Sequence, residues 1–291
     1  MNFDVRPIST HLGAEVRGLD LNDGLGDNVL ATLKQVWQDH GGLMVIRDQH
    51  NLTPEAHIAF AAKIGPLFGA PGESPLQDTV SRYIHPDYPE IYRVSNKLDA
   101  TGAPLGRKGA GTYWHSDVSF RERPAGASVL HGVEIPKLGG DTLFANMTKA
   151  FDELSEPMKD TLRPLKAVHD FEVAARTQYA QPIVVENDMA GANKAVHPVV
   201  RTHAETGRES LYINPGFTSH LDGFDADESR WMLEPLYRHA TRPENIYRHT
   251  WSAHDVVVWD NRCLMHYAVM DYGDDQPRYM ERTTCIGERP V

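Results

Sequence analysis

The chain has 291 residues, 41% hydrophobic and 24% charged, a globular composition that excludes a collagen, a coiled coil and a disordered tail protein. Forty acidic residues against 29 basic ones leave a net charge of −11, and with no basic run this speaks against a nucleic-acid partner. No stretch approaches the roughly 18 apolar residues of a membrane span.

The opening residues, MNFDVRPISTHLGAEV, lack the basic and apolar segments of a secretory signal. Two cysteines, Cys263 and Cys285, make neither a zinc site nor a disulfide framework. A reducing, cytoplasmic home is therefore expected. Asp27-Asn28 open a helix with Val29, Leu30, Leu33, Val36 and Trp37 on one face. Gly41-Gly42 close it, and Leu43 to Ile46 reads as a short buried strand. Thr53-Pro54-Glu55 starts a second helix, with Thr as N-cap and Pro at the first helical position. Gly65-Pro66 ends it.

Residues 69–112 are rich in Gly, Pro and polar side chains, which predicts a long functional loop with one strand near 91–95. Strands are expected at 113–120, 128–135 and 142–144, and a helix over 150–162. Residues 172–195 are weakly patterned and read as a lid. Further strands are expected at 211–214, 247–251, 256–259 and 278–287, with a helix over 227–239 and a turn at His254-Asp255. Strands on long connections with helices grouped at the ends predict one mainly β domain over 1–291, a jelly roll with helical cover.

Fifteen histidines invite a search for metal ligands. Non-haem iron oxygenases use two His and one carboxylate on one face of the metal. On a strand, His-x-Asp supplies two of these, since i and i+2 share a side. Chance alone gives roughly two such acidic doublets in this composition, and three occur: His85/Asp87, His115/Asp117 and His203/Glu205. Pro86 breaks the first, and Thr206-Gly207 places the third at a turn. His115/Asp117 has the strand context. A cosubstrate such as 2-oxoglutarate also needs a cation for its distal carboxylate, for which Arg is suited. Arg278 and Arg282 follow His266 and share a face by the period of two.

The order of these parts, with Leu12-Gly-Ala-Glu-Val16, Ile46-Arg-Asp-Gln49, Gly65-Pro-Leu67, Trp114-His-Ser-Asp-Val118, Gly139-Gly-Asp-Thr142 and Trp259-Asp-Asn-Arg262, resembles the TauD/TfdA family. These are the taurine dioxygenase/2,4-dichlorophenoxyacetate dioxygenase type of Fe(II)- and 2-oxoglutarate-dependent oxygenases. The likeness covers nearly the whole chain. Thr142 lies 25 positions after Asp117, and Arg278 lies 12 after His266, as in the family pattern.

The resemblance implies a double-stranded β-helix, cupin-like, in which His115, Asp117 and His266 hold Fe(II) and Thr142 with Arg278 bind 2-oxoglutarate. It implies hydroxylation of a C–H bond by O2 with release of succinate and CO2, followed in some substrates by C–S, C–O or C–N cleavage. The presence of Asp117 favours hydroxylation over halogenation. His85-Pro-Asp-Tyr-Pro89 and Arg282 match family segments that contact an acidic substrate, so His85, Tyr88 and Arg282 are expected to bind a small sulfonate or carboxylate. Gly111 stands where taurine-oxidising members carry Asn, and is expected to leave room for a larger or less polar substrate. Phe171 and Phe217 are candidates for the pocket wall, with core packing the equal alternative. A homo-oligomer is the expected assembly, with no membrane partner. The rival reading, a non-catalytic jelly-roll binding protein, predicts at least one broken ligand. A third, iron without 2-oxoglutarate, is opposed by Thr142 and Arg278.

Overall fold

The computed structural model describes residues 3–73, 83–177 and 193–291. β1 (Asp4–Pro7) and β2 (Ala14–Arg17) form a hairpin that lays β2 parallel to β3 (Leu43–Ile46). Between β2 and β3 runs α1 (Asp27–Asp39), and α2 (Pro54–Ile64) follows β3. The Thr53 hydroxyl caps α2 by accepting from the Ala56 amide at 3.2 Å, as the sequence predicts. Next come β4 (Tyr92–Ser95), β5 (Ala125–Glu134) and β6 (Thr142–Asn146). They lead into α3 (Met147–Asp152), α4 (Glu156–Leu162), β7 (Lys166–Asp170) and α5 (Phe171–Thr177).

β8 (Lys194–Pro198), β9 (Val200–Thr202), β10 (Glu209–Leu211) and β11 (Thr218–Leu221) precede α6 (Ala226–Ala240). The C-terminal strands are β12 (Ile246–His249), β13 (Val256–Asp260), β14 (Leu264–Ala268) and β15 (Tyr279–Ile286).

The major sheet has the order β1-β2-β3-β13-β5-β15-β4. Val256 to Trp259 of β13 carry no charged residue because both faces of this central strand are covered. Val256 and Val258 pack with Leu33 and Trp37 of α1 and Phe60 of α2. Val257 and Trp259 point the other way, to Phe144 of β6 and Leu264 of β14. The facing layer consists of β12-β6-β14, β11-β7-β8 and the β9-β10 pair. Its outer side is covered by α3, α4 and α6 through Phe151, Leu162, Leu233 and Leu236. This is the two-layer jelly roll with helical cover that the sequence predicts.

Several elements differ from expectation. The predicted helix over 150–162 is two helices, because Pro157 has no amide to continue the first and instead sits in the opening turn of α4. Of 211–214 only Leu211 is in a strand. The predicted strand over 113–120 is absent. His115 makes a single bridge to His266, and the chain then turns, with Val118 at a left-handed φ of 57°. The expected lid at 172–195 includes part of α5 and the start of β8, and its residues 178–192 lie outside the described residues. So do residues 74–82 of the expected 69–112 loop.

Candidate active site

A cavity opens between the two layers, lined from both sheets and from the 107–120 segment. His115 and His266 are locked together there by backbone. Each amide donates to the other's carbonyl, at 3.0 and 2.8 Å, and the ring centroids lie 4.1 Å apart. Asp117 arrives by the turn at Val118 and not by strand alternation, and its amide donates to Asn261 Oδ1 at 3.0 Å. The three side chains are buried, and their ligand atoms all lie within 4.8 Å of one another. No other such cluster occurs among the described residues.

The protonation states suit a metal. His115 Nδ1 lies 2.8 Å from the Tyr113 carbonyl, which can only accept, so Nδ1 is the donor there and Nε2 is the nitrogen left for a metal. Burial, and secondarily His115, pushes His266 well below its ordinary value, so this ring is neutral. Burial pushes the Asp117 carboxyl up, but its polar neighbours, the Arg282 guanidinium foremost, outweigh it and hold the group well below the usual carboxylate range. Two imidazoles and one carboxylate form a donor set that fits Fe(II).

Thr142 and Arg278 line the same cavity. The Trp251 indole N–H donates to Thr142 Oγ1 at 3.0 Å, so the Thr142 proton is left to point at a ligand. Arg278 is buried, its guanidinium lies 5.9 Å over the Tyr272 ring, its Nη2 makes a long bond to the Gly140 carbonyl at 3.4 Å, and its Nε has no partner. A buried guanidinium so poorly satisfied fits a carboxylate brought by a ligand. Gly140 permits this approach. Its φ is +73°, its amide is held by Asp271 Oδ1 at 2.8 Å, and a Cβ there would come within 3.3 Å of Arg278 Nε.

Arg282 also lines the cavity but is not a spare cation. Its Nη1 donates to Asp117 Oδ1 at 2.7 Å, and its guanidinium stacks on Tyr92. Its pairing with Asp117 is hidden in the sequence because the turn that delivers Asp117 is invisible in a strand pattern. Phe171 and Phe217 stand on the cavity wall, stacked on each other at 6.3 Å. His85 and Tyr88 are not among the lining residues. They pack on each other, and the Tyr88 hydroxyl donates to Glu55 of α2.

The room expected at Gly111 is already filled. Its φ is +72°, and a Cβ would lie 2.7 Å from His115 Cε1, so the place a side chain would need is occupied by the His115 ring. The His203 doublet proves structural, with Nε2 3.0 Å from Asp260 Oδ2. Sequence reasoning missed Arg107, Tyr92, Tyr113 and Phe120 on the wall. Nothing local marked Arg107, which is one of five basic residues in the expected 69–112 loop and stands beside Lys108.

A family model described as taurine catabolism dioxygenase TauD, TfdA family, matches residues 4–284. The chain belongs to this family. It is 33% identical to an alpha-ketoglutarate-dependent sulfate ester dioxygenase of Pseudomonas putida, over 100% of this chain and 92% of that protein. It is also 33% identical to an alpha-ketoglutarate-dependent 2,4-dichlorophenoxyacetate dioxygenase of Cupriavidus pinatubonensis, over 100% of both. The crystal structure of AAD-2 in complex with Mn(II) and N-oxalylglycine superposes with a TM-score of 0.81 at 30% identity, over 100% of this chain and 99% of that one.

Proposed function

We propose that this protein hydroxylates a C–H bond of a small organic acid, a sulfonate, sulfate ester or carboxylate with an apolar or aromatic body. It is an oxidoreductase of the 2-oxoglutarate-dependent dioxygenase class and uses Fe(II), 2-oxoglutarate and O2. The observation that carries the reading is the buried His115/Asp117/His266 cluster in one cavity with Thr142 and the under-satisfied Arg278. In the overall balance, 2-oxoglutarate is oxidised to succinate and CO2. One atom of O2 enters succinate and the other enters the product hydroxyl.

His115, Asp117 and His266 would hold the iron, which when bound supplies the activation of O2. Arg278 and Thr142 orient 2-oxoglutarate by its distal carboxylate. Phe120, Phe171, Phe217 and Trp259 keep water from the reacting carbon. Arg282 and Arg107 set a positive wall for the substrate's acid group, in a chain whose overall field is negative. A product hydroxylated at a carbon bearing sulfonate, ether oxygen or amine can collapse and split that bond. No helix among the described residues is long and apolar enough to cross a membrane. A reducing, cytoplasmic setting belongs to the same reading, in keeping with two buried cysteines that are both free, and a homo-oligomer remains the expected assembly.

The test is succinate release from 2-oxoglutarate across a panel of alkyl sulfates, alkanesulfonates, taurine, aryloxyalkanoates and N-acyl amino acids. Turnover is expected with Fe(II) only, and His266→Ala should abolish it while leaving the protein folded. Full activity in that variant, or a best substrate without an acid group, would refute the assignment.

A further inference from the structure

We infer that Ser128 and Asn261 form a buried relay that sets the rotation of the Asp117 carboxylate, and through it the metal affinity of the site. The inference rests on the metal reading above. Asp117 sits on a turn with left-handed Val118 beside it, so no strand pleat fixes its side chain. Something else must hold the carboxylate against swinging.

The direction of every bond in the relay follows from its obligate donors. Asn261 Oδ1 receives the Asp117 amide at 3.0 Å and the Trp259 indole N–H at 3.0 Å. Neither can accept, so the orientation of the Asn261 amide is fixed by its partners. Its Nδ2 therefore faces Ser128 and donates to Oγ at 3.0 Å. Having accepted there, the Ser128 hydroxyl directs its one proton at Asp117 Oδ2, 2.7 Å away. The other oxygen, Oδ1, takes the Arg282 bond at 2.7 Å. Each oxygen of Asp117 thus accepts a hydrogen bond and keeps a lone pair for a cation.

The relay is anchored on the rigid centre of the fold. Ser128 lies on β5 opposite Trp259 of β13, and opposite Thr284 of β15 on its other side. Ser128 and Asn261 are both fully buried, so water does not compete for these bonds. Ser128 and Asn261 do not line the cavity. They are positioning residues that act through Asp117. Partners of this kind typically govern metal affinity by 10–100-fold.

The experiment is an anaerobic Mn(II) titration of metal-free wild type, Ser128→Ala and Ser128→Thr, with the melting temperature of each metal-free protein. Wild type is expected to take up one Mn(II) per chain. Ser128→Ala should bind it about 10–100-fold more weakly, and Ser128→Thr, which restores the donor, should recover most of the loss. If Ser128→Ala does not fold, Ser128→Cys, similar in shape with a weak donor, takes its place with the same expected loss. Wild-type affinity in the variant lacking the hydroxyl, or equal losses in the Ala and Thr variants, would overturn the relay. A wild type that binds no Mn(II) would overturn the metal reading itself.

Discussion

Each cation on the cavity wall does a different job because each meets different partners. Arg278 is buried with its Nε unpaired, so it needs an anion more than the structure supplies. A unit-charge pair at ~4 Å is worth about 4 kcal/mol at an effective dielectric of ~20, and desolvation takes part of this back. Arg278→Ala is expected to raise the KM for 2-oxoglutarate at least tenfold. Arg278→Lys should rescue only partly, since a point charge lacks the guanidinium fork. An unchanged KM in the Ala variant would mean that another group holds the cosubstrate.

Arg282 is shared between Asp117 and the cavity, whereas Arg107 stands on the strap whose amide donates to the Arg93 carbonyl at 3.0 Å. Arg282→Ala is therefore expected to weaken Mn(II) binding and to raise the KM of an acidic substrate. Arg107→Ala should raise only the KM. Titrating both variants with metal and substrate separates the roles, and metal loss in Arg107→Ala alone would reverse them.

At the scale of the element, the short segment before His115 is built around Gly111. Its carbonyl accepts from the Ala268 amide at 2.8 Å, and its left-handed φ of +72° sets the backbone against the His115 ring. A side chain there costs about 1–3 kcal/mol of backbone strain and displaces the His115 ring. Gly111→Asn is expected to lower the melting temperature and weaken Mn(II) uptake together. A variant with wild-type values in both would show that the segment yields.

Elements with a strong local signal were legible in the sequence. Helices α1 and α2, with their start and stop signals, and the apolar run Val256 to Trp259 of β13 are examples; burial of that strand on both faces writes itself into composition. β7, Lys166-Ala-Val-His-Asp, and β11, Thr218-Ser-His-Leu, were not legible, because charged and histidine positions hide their alternation. The positions of His115, Asp117, Thr142, His266 and Arg278 came from the ordered spacing of the resemblance. The Arg282–Asp117 pair did not, because it depends on a tertiary turn with no local code.

At the scale of the whole molecule, two facing pairs among the buried histidines outside the site make folding depend on pH. His57 of α2 faces His131 of β5, with ring centroids 6.3 Å apart. His169 of β7 faces His197 of β8 at 5.2 Å. Burial is the leading cause that pushes His57 and His197 down to about 4, and with His57 and His254 it pushes His131 to about 3. Burial and His197 likewise hold His169 well below its ordinary value. In the unfolded chain each would titrate near 6.5.

Between pH 6.5 and about 4 the unfolded state therefore binds more protons, so stability falls as pH falls. One unit below 6.5, each such histidine costs about 1.4 kcal/mol. Four together cost about 5–6 kcal/mol, comparable to the lower part of the 5–15 kcal/mol that stabilises a typical protein. Asp117 and Asp260, held low by their charged partners, keep their contribution until the pH approaches the ordinary carboxylate range, so they do not steepen the loss in this window. Urea unfolding of the metal-free protein is expected to show a marked fall in stability from pH 7 to 5. His131→Phe, which removes one titrating ring from the first pair, should flatten that slope even if its stability at pH 7 changes. Stability that is level over this range in wild type would mean that the four rings are protonated in the native state or reach water.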